Sequence, residues 1–266
     1  MACRTIVVTS GKGGVGKTTS TANIGTGLAL LGRKVVVVDT DIGLRNLDVI
    51  MGLENRIVYD LVQVIEGLCE LRQAMIRDRK VEGLFLIPAA QTRDKSAVNL
   101  EQMKALCERI KEEIEPDYLI LDSPAGIEQG FRNALAAAEE AIVVTTPEVS
   151  AIQDADRVIS LIEANAGMRP RLIINRLRPQ MIEEGNMMDI PDILELLAVQ
   201  LLGIVPEDED IIVSSNQGVP IVHNQERLAG KAYRNIVARL EGQEIPLLSL
   251  NSRKGIWDRF KKFLGG

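Results

Sequence analysis

Eight residues near the start of the chain, Gly11-Lys12-Gly13-Gly14-Val15-Gly16-Lys17-Thr18, fit the spacing G-x-x-x-x-G-K-[ST] of a phosphate-binding loop. Glycines there let the backbone curl until successive N–H groups point inward around an anion. Lys17 then offers a point charge to the β- and γ-phosphates of a nucleotide, and the Thr18 hydroxyl can ligate Mg²⁺. A helix starting near Lys17 turns its positive dipole end to the same anion, with Thr19 in its first turn joining the binding set. Lys12 is an additional lysine in the loop, which the nucleotide-binding pattern itself does not require.

Carboxylates follow two apolar runs. Val35-Val36-Val37-Val38 ends in Asp39, with Asp41 two residues on, and Tyr118-Leu119-Ile120-Leu121 ends in Asp122, followed by Ser123-Pro124-Ala125-Gly126. A carboxylate at the end of an apolar strand can order Mg²⁺, often through a water, which makes Thr18, Asp39 and Asp122 the candidate metal set. A single such Asp is more often a helix cap or a turn. Three of them in a chain with a phosphate loop favour the metal reading. Gly126 lies where its backbone could sense a γ-phosphate.

These residues need strands to present them. Thr5–Thr9 is β-branched and reads as a buried strand, and Thr18 to Leu31 carries Ile24, Leu28 and Leu31 at helical spacing, so the loop sits between strand and helix. Further strands are expected at 34–39, 84–88, 118–122, 141–146, 171–175 and 202–205, and helices at 99–114, 130–138, 150–164 and 191–201. Near-continuous Val/Ile/Leu strands alternating with helices predict an α/β fold: one domain with a mostly parallel twisted sheet covered by helices on both faces. Ligands in such sheets bind at the carboxyl ends of the strands.

Bulk properties narrow the function classes. The 266 residues are 46% apolar but only 3% aromatic, so the core is aliphatic. A net charge of −6 argues against a general nucleic-acid binder, although a local basic patch would be compatible with it. Cys3, Cys69 and Cys107 are isolated and odd in number, which suits reduced thiols, and the single His223 cannot build a histidine metal site. Residues 1–10 lack a charged leader followed by an apolar stretch, and no run approaches the ~18 apolar residues of a membrane span.

With Lys12 in its phosphate loop, the chain resembles the deviant Walker A family of ATPases, the MinD/ParA group. The resemblance extends through Asp41-Ile42-Gly43-Leu44-Arg45-Asn46-Leu47-Asp48, Asp122-Ser123-Pro124-Ala125-Gly126 and Thr145-Thr146-Pro147-Glu148-Val149-Ser150, and it covers nearly the whole chain from Arg4. It implies a P-loop NTPase fold and hydrolysis of ATP with Mg²⁺. Lys12 would reach across a homodimer to the partner's ATP phosphates, and Lys17 and Thr18 would serve their own subunit. Asp41 on switch I would help to place the attacking water, and Asp122 would begin switch II and support Mg²⁺. Asn175 and Pro206-Glu207-Asp208 would lie near the adenine. Asn175 is followed by Arg176-Leu177-Arg178, not by a guanine-binding Asn-Lys-x-Asp, which favours ATP over GTP. The family further implies a role in placing the division site, with a MinC-like inhibitor of division-ring assembly and a MinE-like activator of hydrolysis as partners. Asp154, on the helix after Thr146-Pro147, is a candidate contact for them.

The composition changes near the C-terminus. Residues 1–241 read as the ATPase domain, 242–252 as a linker with Pro246, and 253–266 as an amphipathic helix. The last segment holds Trp257, Phe260 and Phe263, and its five basic residues against Asp258 give +4. On a helical wheel Ile256, Trp257, Phe260, Phe263 and Leu264 fall within an arc of about 120°, with Lys261 and Lys262 outside it. Such a helix reads as an anchor on an anionic lipid surface, and the resemblance implies the same. A buried large apolar side chain contributes roughly 1.5–3 kcal/mol and a basic residue near anionic lipid about 1 kcal/mol, much of it offset by ordering. One tail is then a weak anchor, and two on a dimer gain about 10²–10⁴-fold in avidity. The expected location is cytoplasmic, reversibly peripheral on the inner face of the cell membrane.

Three other classes share parts of this pattern. A ParA-type DNA or cargo partition ATPase has the same loop but needs a basic DNA surface or module, and the loop begins at residue 11. An electron-transfer ATPase like the nitrogenase iron protein needs cysteines to share a cluster. A small-molecule kinase or synthetase needs an acceptor pocket, for which the sequence shows no candidate.

Overall fold

The computed structural model describes residues 2–248. The expected membrane residues Ile256, Trp257, Phe260, Lys261, Lys262, Phe263 and Leu264 lie outside the described residues.

Among the described residues the strands are β1 (Arg4–Thr9), β2 (Val35–Asp39), β3 (Ile76–Arg77), β4 (Leu84–Ile87), β5 (Tyr118–Asp122), β6 (Glu140–Thr145), β7 (Arg171–Leu177) and β8 (Gln200–Pro206). They form one sheet in the order β3-β4-β2-β5-β1-β6-β7-β8. All neighbours run parallel except the short edge strand β3, which is antiparallel to β4. Alternate residues point to opposite faces. Val7, Val36, Val38, Leu119 and Leu121 therefore enter one core, and Ile6, Val8, Val35, Val37 and Ile120 the other.

The helices are α1 (Lys17–Leu30), α2 (Leu47–Ile50), α3 (Leu61–Ile65), α4 (Leu71–Ala74), α5 (Leu100–Ile114), α6 (Gln129–Ala136), α7 (Val149–Ala166), α8 (Pro179–Glu183), α9 (Ile190–Leu197), α10 (Glu209–Asn216) and α11 (Leu228–Leu240). α5, α6, α7 and α9 cover the first face, and α1 and α11 the second. No helix among the described residues is long and apolar enough to cross a membrane. α1 is buried along most of its length, because it is wedged between the sheet and α11.

The expected strands match to within two residues at each end. The helix expected at 191–201 is shorter: it stops at Leu197, where Ala198 turns left-handed at φ 50° and donates to the Leu194 carbonyl, and β8 starts at Gln200. Leu201 and Leu202 prolong the apolar run, and periodicity alone does not separate a buried helix from a buried strand. β3 spans two residues, too few to carry a pattern. Of the expected linker, 242–248 carries no helix or strand, yet it is held: Arg239 donates to the Ile245 and Pro246 carbonyls at 3.0 Å each, and Leu247 and Leu248 pack on the core.

Candidate active site

The loop between β1 and α1 is closed behind and open in front. Gly14 (φ +80°) and Gly16 (φ +96°) are left-handed, a conformation that residues with a Cβ rarely adopt. A Cβ on Gly11 would lie 2.2 Å from the Asp154 carbonyl oxygen, and one on Gly16 would lie 2.2 Å from Asn175 Nδ2. The back of the loop is thus pressed between α7 and β7. Gly13 and Gly14 face open space, where a Cβ would meet nothing within 4 Å. α1 starts with neither a side-chain cap nor an acid in its first turn, so its N-terminal dipole is left for an anion.

Behind the open face lie the charges. Lys17, with only 8% of its side chain exposed, donates from Nζ to Asp122 Oδ1 at 2.9 Å and to Thr18 Oγ1 at 3.1 Å. Thr21 Oγ1 also donates to Asp122 Oδ1, at 2.9 Å. Asp39 and Asp122 are register partners at the ends of adjacent strands, each 1% exposed. Burial, and then the neighbouring Asp122 charge, push the Asp39 carboxyl up to about 7. Two buried carboxylates against one buried amine, with a threonine hydroxyl beside them, are a hard oxygen set with surplus negative charge, which suits a divalent cation such as Mg²⁺.

Asp39 has a second task. Its Oδ1 accepts from the Asp41 amide at 3.0 Å, and its Oδ2 accepts from the Asn46 and Leu47 amides at 3.2 Å each. It therefore holds the segment 41–47 by its backbone and caps the start of α2. At the far end of that segment Arg45 Nε pairs with the fully buried Asp48 at 3.0 Å. Thr40 donates from its amide and its hydroxyl to the Asp122 carbonyl at 3.0 and 2.8 Å, tying the start of this segment to that of the next one. Asp41 lies on a small pocket with Pro124 and Gly130. The Gly126 amide donates to the Ser10 carbonyl at 2.9 Å, so that N–H is engaged at the base of the loop and not aimed into its open face.

A cleft of about 480 Å³ opens beside the loop, lined by Gly16, Thr19, Asn175, Arg178, Glu207 and Asp208 among others. Asn175, 4% exposed, donates from Nδ2 to the Val15 carbonyl at 2.8 Å. Its Oδ1 accepts from no donor among the described residues. An orphaned buried acceptor in a cleft joined to a phosphate loop fits the exocyclic amine of adenine. Pro206 is buried in β8 opposite Leu177, and Glu207 and Asp208 form the wall.

Lys12 differs from Lys17. Its side chain is 44% exposed, and Nζ donates to Ser150 Oγ at 3.2 Å and lies 3.6 Å from Glu148, both at the start of α7. Asp154, one turn further along α7, backs Gly11 through its main chain and pairs at 3.8 Å with Arg157. The fold therefore brings Asp39 and Asp122 to Lys17 behind the loop and Asn175, Glu207 and Asp208 to the cleft beside it, with Asp41 on a separate small pocket, Lys12 against the first turns of α7 and Asp154 within them. The sequence reading gives no site role to Thr21, Thr40 or Ser150, nor to the two arginines at 176 and 178. Only the positively charged pair after Asn175 carried a signal, and Arg176 sits at φ +54° where β7 loses register with β8. Cys3 precedes β1 at the opposite end of the sheet from the loop.

The family described as CobQ/CobB/MinD/ParA nucleotide binding domain matches residues 6–221. The septum site-determining protein MinD of Bacillus subtilis (strain 168) is 53% identical over 263 residues, covering 98% of this chain and 97% of its own. In the MinC:MinD cell division protein complex of Aquifex aeolicus, a chain 44% identical superposes with a TM-score of 0.87 over 94% of this chain and 100% of that one. The MinD complexed with Mg-ADP from Pyrococcus horikoshii OT3 is 28% identical with a TM-score of 0.80, over 90% of this chain and 96% of that one. The chain belongs to the CobQ/CobB/MinD/ParA family, as a deviant Walker A ATPase closely related to bacterial MinD.

Proposed function

We propose that this chain is a membrane-cycling ATPase that places the cell-division site. ATP pairs two copies, and the paired tails at 253–266, joined through the linker 242–252 to the ATPase domain 1–241, hold the dimer on the inner membrane face. There it recruits a MinC-like inhibitor, and a MinE-like activator stimulates hydrolysis and ends the cycle. The observation that carries this reading is the division of labour in one loop: Lys17 is buried on Asp122, and Lys12 is exposed on the outer rim. A lysine on that rim can serve a second subunit's nucleotide, which makes ATP binding and dimerisation one linked event.

The reaction is ATP plus water to ADP plus phosphate. Water attacks the γ-phosphorus, the bond to the β–γ bridging oxygen breaks, and that oxygen leaves with ADP. Lys17 exchanges Asp122 for the phosphates, and the open face of Gly13 and Gly14 supplies amides to them. Thr18 and Asp122, with Asp39 behind, would hold Mg²⁺, which would supply positive charge against the phosphates. Asp41 orients the attacking water, and Asn175 reads the adenine. Partner recruitment is motivated by the Aquifex aeolicus MinC:MinD complex, and the half-buried Asp154 on α7 is the contact assigned to it.

Light scattering and co-sedimentation with anionic vesicles test this reading. Lys12→Ala should bind ATP but stay monomeric and off vesicles. A chain ending at Asn251 should hydrolyse ATP without sedimenting. Equal vesicle binding by wild type in ATP and in ADP would refute the cycle.

A further inference from the structure

Beside the adenine cleft, and sharing part of its lining, is a second groove of about 1330 Å³. One wall is the segment 146–149 after β6, and the other runs from α8 through the following loop to the start of α9. Its apolar lining includes Met181, Ile182, Met187 and Met188 on one wall and Val149 on the other, and Ile182 and Met188 rest on the core. Arg178 ties this wall together, donating from its amide to Met187 Sδ at 3.5 Å and from its guanidinium to Met181 Sδ at 3.8 Å. Unbranched methionines adapt to a bulky apolar guest. The rim is acidic: Glu148, Glu207 and four carboxylates between Glu183 and Asp192, against Arg176 and Arg178, leave a surplus of four negative charges. Lys12 beside Glu148 reduces that surplus to three.

We propose that, before nucleotide pairs two copies, this groove holds the chain's own segment 253–266, so that the lipid-binding side chains are stored on the protein. The proposal rests on reading that segment as the membrane anchor. Charge and length support it. The segment carries +4 and an aromatic stripe, the complement of an acidic rim around a methionine lining. Its path is short enough. Arg239, whose guanidinium holds the Ile245 and Pro246 carbonyls, also donates to the Leu202 carbonyl at 2.9 Å, which places the last described residues near the start of β8. Glu207, just past the other end of β8, is on the groove, five residues or roughly 17 Å away at ~3.3 Å per residue. Residues 249–255 span up to roughly 23 Å when extended, enough to bring the aromatic stripe to the rim.

The groove shares Arg178 and Glu207 with the adenine cleft, and Glu148 with Lys12. Nucleotide binding and pairing thus use the same residues as the stored tail, and the two states exclude one another. Reciprocity then requires that removing the tail favours the ATP dimer.

Trp257 is the protein's only tryptophan, so its fluorescence reports the tail without a label. In the full chain, dilute and free of nucleotide and lipid, its emission should be blue-shifted and shielded from acrylamide relative to a peptide of residues 253–266. The double variant Met187→Glu/Met188→Glu, and separately the surface change Glu184→Lys, should abolish the shielding with the circular dichroism unchanged. If the tail is stored nine-tenths of the time, its release should raise nucleotide-free binding to phosphatidylglycerol vesicles about tenfold. Trp257 as quenchable in the full chain as in the peptide, or shielding that survives both groove variants, would overturn the proposal. Shielding that appears only as concentration rises would overturn it in favour of a second copy as the occupant. The fluorescence arm contains no lipid, so a protein with a stored tail that never binds vesicles in ATP would sink the membrane reading and not this one.

Discussion

At the scale of single residues, the site is built from side chains that have partners within the chain itself. Lys17 rests on Asp122, and Asn175 has one end on the Val15 carbonyl and the other unpartnered among the described residues. Asn175→Ala removes the acceptor proposed for adenine and a pin behind the loop. It should weaken ATP and ADP by about 1–2 kcal/mol, roughly 5- to 30-fold in Kd. Titration with a fluorescent nucleotide measures this, and unchanged affinity would remove Asn175 from the adenine site. The lysines, the glycines and the three acids could be read from residue type and spacing. Thr21 and Thr40 could not: each is an ordinary hydroxyl until the sheet brings it to Asp122, 101 and 82 residues away in the chain.

At the scale of elements, the cleft beside the loop depends on a strand and a helix that the sequence only half revealed. β8 delivers Glu207 and Asp208, and α11 holds β8 in place. Their contact is close: a Cβ on Gly203 would lie 2.3 Å from Ile236 Cγ1. A Gly→Ala change gains about 0.4–1 kcal/mol through the unfolded chain when there is room. There is none here, and overpacking costs about 1–3 kcal/mol. Gly203→Ala should therefore lower the urea midpoint and loosen nucleotide binding together. A midpoint equal to or above wild type would show that Ile236 yields freely. α11 lies outside the expected helices, although Ala229, Ala232, Tyr233, Ile236 and Leu240 have helical spacing. Small residues and interspersed Lys and Arg make its apolar face weak in sequence.

At the scale of the molecule, the sheet has two ends with different work. Nucleotide chemistry gathers at the carboxyl ends of the strands, as parallel sheets favour. The other end is fastened by ions. Arg4 grips Glu140 at 2.7 and 2.9 Å and the Leu240 carbonyl at 2.7 Å, and Arg171 reaches the same carboxylate at 2.6 Å. β1, β6, β7 and the end of α11 are joined by this one carboxylate and its two arginines. Burial works to raise the Glu140 carboxyl, but the hydrogen bonds and charges of Arg4 and Arg171 outweigh it and hold it below its ordinary 4.5. A depressed carboxyl contributes stability above its unfolded value and loses it as pH falls through the folded one. Glu140→Gln should be less stable than wild type at pH 7, and the gap in urea midpoint should close as pH drops below about 4. A gap that stays constant into acid would show that the network contributes nothing through this charge.

The sequence by itself determined the chemistry and the class of fold. A phosphate loop is local in the chain, and buried parallel strands declare themselves by unbroken apolar runs, so both were legible without contacts. It also marked Lys12 as apart from Lys17. Tertiary structure alone decided which partners those charges keep. Asp39 turned out to hold the 41–47 backbone as well as to face Asp122. The methionine groove arose from segments far apart in the chain, at 146–149, 181–189 and 207. Such arrangements depend on sheet order and on loops closing over it, and neither leaves a periodicity for the sequence to show.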